Sequence, residues 1–99
     1  MSATVVAGDE RRLEVEPAVD LERWRRLALE VLGDQRATGE LTLSFIDRGE
    51  MAELNAEHMG IDGPTDVLSF PMDDDVLLGV PTLLGDVVIS PAVAALQFA

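Results

Sequence analysis

The chain has 99 residues, 47% of them hydrophobic, which suits one small globular domain with a single core. It has no cysteine, which excludes a disulfide framework, a thiolate metal site and a thiol nucleophile. Nineteen Asp and Glu against seven arginines and no lysine set the formal charge at −12, and residues 49–99 carry nine acids with no basic residue but His58, the opposite of the basic footprint that autonomous nucleic-acid binding needs.

The start, MSATVVAGDERR, has acids and arginines where a signal peptide needs an apolar core. No apolar run approaches the roughly 18 residues of a membrane span, so the chain is expected to be soluble and cytoplasmic. Leu13 and Val15 alternate with Glu14 and Glu16, which predicts a first strand stopped by Pro17. Asp20 then caps a predicted helix in which Leu21, Trp24, Leu27, Ala28, Val31 and Leu32 recur at helical spacing, with Trp24 as a core anchor and Gly33 as the stop. The stretch LTLSFID reads as a strand, buried through Leu41, Leu43 and Phe45 and partly buried on its other face. Asp47 and Glu50 have the spacing of a capping box opening a second helix that runs to about Met59.

The stretch GIDGPTDV predicts a turn, VLSF a strand ended by Pro71, and residues 71–83 a solvated loop containing Asp73, Asp74 and Asp75. LGDVVIS is the last predicted strand, and Ser90-Pro91 is an N-cap and N1 pair for a short final helix. The order β-α-β-α-β-β-α implies an α+β fold, a mixed sheet with helices packed on it.

Few residues can carry chemistry. His58 is the sole histidine, and no G-x-S-x-G turn accompanies a serine, which discounts a serine hydrolase. Two roles are open to it: complementing the dipole at the end of the second helix, or lining a groove. One His and no Cys cannot build a conventional zinc site, and the aspartate run lacks the ligand spacing of an EF-hand. Asp86 interrupts an apolar strand, so its charge points into a cleft or caps a backbone turn. Thr65 and Asp66 either form a local turn bond or touch a ligand.

Taken together, LNAEHMGIDGPTDVLSFPMD followed by LLGDVVISP resembles the YbeY-type endoribonucleases, the bacterial family of rRNA maturation factors. The likeness is strong from residue 41 to about 95 and rests on pattern alone before that. It implies a hydrolytic zinc endoribonuclease that cuts single-stranded RNA in 16S rRNA 3′-end processing and ribosome quality control, with rRNA and ribosomal or assembly proteins as partners and neither DNA nor membrane. Asp86 carries over as the catalytic candidate, and Thr65, Asp66, Ser69 and His58 as residues lining the RNA groove. The family's zinc is held by three histidines in H-G-x-L-H-L-x-G-Y-D-H, a motif absent from this sequence, so no zinc is expected to bind this chain. The family's arginine before the turn glycine is Met59 here. On this reading residues 1–99 are a partial domain whose C-terminal helices are missing, the product of a truncated frame; the alternative is a non-catalytic ribosome-assembly module.

Overall fold

A computed structural model of the chain describes residues 3–34, 38–71 and 83–97. Their elements are β1 (Ala3–Asp9), α1 (Leu21–Asp34), β2 (Gly39–Phe45), α2 (Arg48–Met59), β3 (Val67–Pro71), β4 (Leu83–Ile89) and α3 (Pro91–Gln97). The described strands form one mixed sheet in the order β1-β2-β4-β3. β1 pairs parallel with β2, β2 parallel with β4, and β3 antiparallel with β4 at the far edge. The α+β class and the element order are those the sequence predicts.

The first strand is not where alternation placed it. β1 is the apolar ATVVAGD stretch, whereas Leu13 and Val15 stand 86% and 81% exposed outside any strand. The physical reason is Asp47. Its carboxylate accepts the backbone N–H groups of Arg12 at 2.9 Å, Leu13 at 3.2 Å and Glu14 at 3.0 Å. A segment whose amides are aimed at one side chain cannot also offer them to a strand ladder.

The two faces of the sheet hold separate cores. On one, α1 lies over Val5, Leu43 and Phe45, joined by Leu41, Val87 and Ile89. The helix opens as expected, with the Arg23 amide donating to the Asp20 carboxylate at 3.1 Å. It turns Ala28, Leu29 and Leu32 inward. Trp24 is not enclosed as a core anchor would be: its ring lies 6.0 Å from that of Phe45 but stays 42% exposed. On the opposite face α2 packs Met51 and Leu54 against Ile46, Leu68, Val88 and Phe70.

Two predicted caps take other forms. Asp47 occupies the N-cap position of α2, yet its side chain makes no capping bond because it is committed to residues 12–14. The Arg48 amide is satisfied instead by Glu14 Oε1 at 2.6 Å, a cap supplied from 34 residues away. Ser90 precedes α3, but its fully buried hydroxyl has no hydrogen-bond partner among the described residues. Its backbone does the work, the amide donating to the Asp66 carbonyl at 2.8 Å and the carbonyl accepting from Ala94 at 3.0 Å. Asp73, Asp74 and Asp75 and most of the predicted acidic loop lie outside the described residues.

Candidate functional site

Among the described residues the α2 face of the sheet is only partly covered, and the uncovered part is a groove. Its floor is set by strand parity. Leu41, Leu43 and Phe45 go to the α1 core, so Thr42 and Ser44 face the other way, as successive strand residues must. Register places Asp86 beside Thr42 on β2 and beside Phe70 on β3. One row across three strands therefore reads Thr42, Asp86, Phe70.

Asp86 reaches this face because β4 is irregular. Glu40 pairs with Leu83 but the next residue, Leu41, pairs with Gly85, which makes Leu84 an extra residue. Gly85 takes φ 145°, a backbone state that side-chain-bearing residues rarely adopt. A one-residue slip moves every following side chain to the other face. Without the bulge Asp86 would stand opposite Leu43 and point into the α1 core, where an unpaired carboxylate is costly. With it, Asp86 is exposed on the groove floor and has no ion-pair partner among the described residues.

The wall comes from α2. Asn55 is buried, and its Nδ2 donates to the Gly63 carbonyl at 2.8 Å, which ties the 60–66 turn to the helix. Gly60 closes α2 in the left-handed conformation at φ 66°. His58, in the last turn, stands over Phe70 in an edge-to-face contact with ring centroids 5.0 Å apart. Both roles open to it at the sequence level are compatible with this placement. Asn55→Asp is expected to lower stability by about 1–3 kcal/mol, because it removes a buried donor and sets a carboxylate against a carbonyl. Urea unfolding measures this, and an unchanged midpoint would show that the turn holds itself.

His58, Asp86, Phe70, Thr42, Leu54 and Val88 line a cavity of about 430 Å³. A second, of about 330 Å³, shares Ser44, Leu54 and Val88 with it and ends at Arg12, Glu10 and Glu50. The two form one open groove running from His58 and Asp86 to Arg12. Of the other described arginines, Arg11 pairs with Asp9, Arg25 and Arg26 with Glu22, and Arg48 with Glu14, while Arg23 lies on α1 beside Trp24 and Leu27.

Of the predicted site residues, the structure brings His58 and Asp86 together. Ser69 pairs with Val87 and shares its face, the one α1 packs against, so it does not line this groove. Thr65 and Asp66 sit at the entry to β3, where the Thr65 hydroxyl lies 3.4 Å from the Asp66 carboxylate and the Asp66 carbonyl holds Ser90. They position the strand and stand outside the lining. Thr42, Ser44, Phe70 and Arg12 were not singled out from the sequence; only their parity relative to Asp86, which depends on the bulge, marks the first three.

The donor set does not fit the family's zinc. One histidine and no cysteine are present, and among the described residues no three His, Cys, Asp or Glu converge as a metal site. Among them, too, no helix is long and apolar enough to cross a membrane.

Comparison with known proteins agrees with the motifs. The family model described as Endoribonuclease YbeY matches residues 9–99. An Endoribonuclease YbeY of Dichelobacter nodosus is 49% identical over 70 residues, covering 71% of this chain and 44% of that protein. That of Bifidobacterium longum subsp. infantis is 39% identical over 92 residues, 87% of this chain and 50% of its own. That of Acidothermus cellulolyticus is 44% identical over 95 residues, 83% of this chain and 58% of its own. The chain thus spans about half the length of the curated relatives it matches. With a family model matched over nearly every residue, and with the GPTDVLSFP and LGDVVIS strands paired side by side, the chain belongs to the YbeY endoribonuclease family.

Proposed function

We propose that this chain serves an endoribonuclease of rRNA maturation in the cytoplasm, and that its own residues supply the surface that holds the RNA strand. The observation that carries this reading is the continuous groove in which three separate elements, α2, β3 and β4, set His58, Phe70 and Asp86 side by side. Thr42 and Ser44 on its floor offer hydroxyls to sugar and base edges, and Arg12 offers a guanidinium at its far end. In the family reading zinc supplies an activated water and polarises the phosphate. The residues here do not build that site. Asp86, the catalytic candidate of the sequence, faces the bound strand from the groove floor.

The test has two arms on the purified 99-residue chain. Ultraviolet crosslinking to single-stranded 16S rRNA 3′-end fragments, read by mass spectrometry, is expected to map to the groove. Crosslinks confined to α1 or absent would overturn the reading. Metal analysis after dialysis, with a cleavage assay, is expected to show well under one zinc per chain and no zinc-stimulated cutting, for want of ligands. About one zinc per chain with chelator-sensitive cleavage would overturn that expectation.

A second reading, a non-catalytic module holding a ribosomal protein or assembly factor, draws on Trp24, Leu27 and Val31. These leave an apolar stripe on the outer side of α1. Trp24→Ala would then abolish capture of that partner while leaving the RNA crosslinks unchanged.

A further inference from the structure

The charges of the groove decide which part of a nucleotide it can take. Asp86 lies on the floor at one end, and Glu10 and Glu50 flank Arg12 at the other. A phosphate laid along this groove meets three carboxylates and one guanidinium, an unfavourable balance for an anion. A nucleobase is uncharged and is not repelled.

The end near Asp86 has the parts a base requires. His58 and Phe70 meet nearly perpendicularly, at 71°. Rings in that arrangement do not cover each other face to face, which leaves aromatic surface for a planar ligand, and His58 is exposed. Asp86 is the direct cross-strand partner of Phe70 on the same face, a separation of about 5 Å between Cβ atoms. It therefore lies beside a base stacked on the ring pair and can reach its edge. The cavity of about 430 Å³ is ample for one base.

We infer that His58, Phe70 and Asp86 form a nucleobase subsite, in which one unpaired base of single-stranded RNA stacks on the ring pair and donates its edge N–H groups to the Asp86 carboxylate. The inference rests on the RNA-holding role proposed above and deepens it. An ionised carboxylate only accepts, and it has two oxygens. Guanine presents two adjacent donors on its Watson–Crick edge, N1–H and N2–H, and so binds both oxygens. Adenine and cytosine place a ring acceptor beside their single amino group, and uracil flanks its one N–H with carbonyls. The subsite therefore prefers guanine.

The chain carries its own reporters, since His58 is its sole histidine and Trp24 its sole tryptophan. The experiment is a proton NMR titration of the full 99-residue chain with uridine pentanucleotides bearing one central guanosine, adenosine or cytidine, alongside pentauridine. The expected result is upfield movement of the His58 ring signals, with the guanosine pentamer about fivefold to tenfold tighter than the other three, the discrimination a two-point base contact gives. Asp86→Asn is expected to bring that ratio close to one while the ring shifts persist, and His58→Ala to weaken all four pentamers alike. If the pentamers bind but move only Trp24 signals, or if Asp86→Asn keeps the guanosine preference, the subsite is wrong and the RNA-holding role stands. If no pentamer binds at millimolar concentration, the RNA-holding role itself falls.

Discussion

Asp47→Ala is expected to lower the melting temperature by roughly 10 °C, far more than an ordinary polar-to-alanine change. Asp47 is buried and gathers the amides of Arg12, Leu13 and Glu14 into one carboxylate. Alanine leaves the donors of three part-buried hydrogen bonds without their acceptor, and an unmade bond costs more than a made one contributes. The damage spreads, because Glu14 in turn accepts the Arg48 amide and pairs with its guanidinium at 3.2 Å. Loss of one carboxylate thus frees both the 10–16 segment and the start of α2. The pH dependence has a definite sign. The Arg12 amide first, then those of Glu14 and Leu13 and the nearby Arg11 charge, hold the Asp47 carboxyl below the usual carboxylate range. A group depressed in the folded state binds more protons when unfolded, so its stabilisation is fully present above the unfolded pKa of about 3.9 and is lost as pH falls through the lower folded value. Thermal melts from pH 7 to pH 2 should show the wild type losing its advantage over Asp47→Asn only below about pH 4. A difference that is constant across that range, or an alanine variant within about 2 °C of wild type, would show that the cluster does not stabilise the fold.

This cluster also explains what the sequence hid. The Leu13-Glu-Val-Glu alternation is a genuine strand signal, but alternation reports only that side chains point to opposite sides, and here both Leu13 and Val15 point to water. The partner that decides the matter lies more than 30 residues along the chain. By contrast β2 follows an alternation that its own face satisfies, and α1 is legible through Leu21, Ala28 and Leu32, although Trp24, Leu27 and Val31 of the same predicted stripe stay exposed; α2 is legible through its Gly60 stop, although its predicted cap takes another form. The candidate site was half legible. A charge inside VVIS marked Asp86 as unusual, yet its face depends on the bulge at Gly85, and bulges arise from pairing with a strand some 40 residues earlier. Ser69 fails to share the groove for the same kind of reason, since antiparallel register sets it against Val87 and leaves Asp86 to Phe70. His58 could be placed on a helix end, while the ring it meets could not be named until α2 was laid across β3.

Met51→Ala is the second change expected to have a large effect, and it ties the core to the groove. Met51 has no exposed surface and anchors α2 among Ile46, Leu68 and Val88. Truncating a buried Met to Ala costs about 2–5 kcal/mol through lost transfer energy and the cavity left behind. That is a large share of the roughly 5–15 kcal/mol a domain of this size has in total. The urea midpoint should fall by about 1–2 M, whereas Met51→Leu, which keeps the volume, should shift it far less. The functional consequence follows from where α2 carries its residues. Leu54 and His58 lie one and two turns beyond Met51 on the same side of the helix and line the groove, so a loosened anchor moves them together. In molecules that remain folded, Met51→Ala should weaken the ring-current shift between His58 and Phe70. Val5→Ala, on the α1 face, should destabilise the chain without altering that signal. If both variants disturb the His58 ring equally, the two cores do not act separately and the groove is not held by Met51; if only Met51→Ala does, the geometry that sets His58 beside Asp86 depends on this one side chain beneath α2.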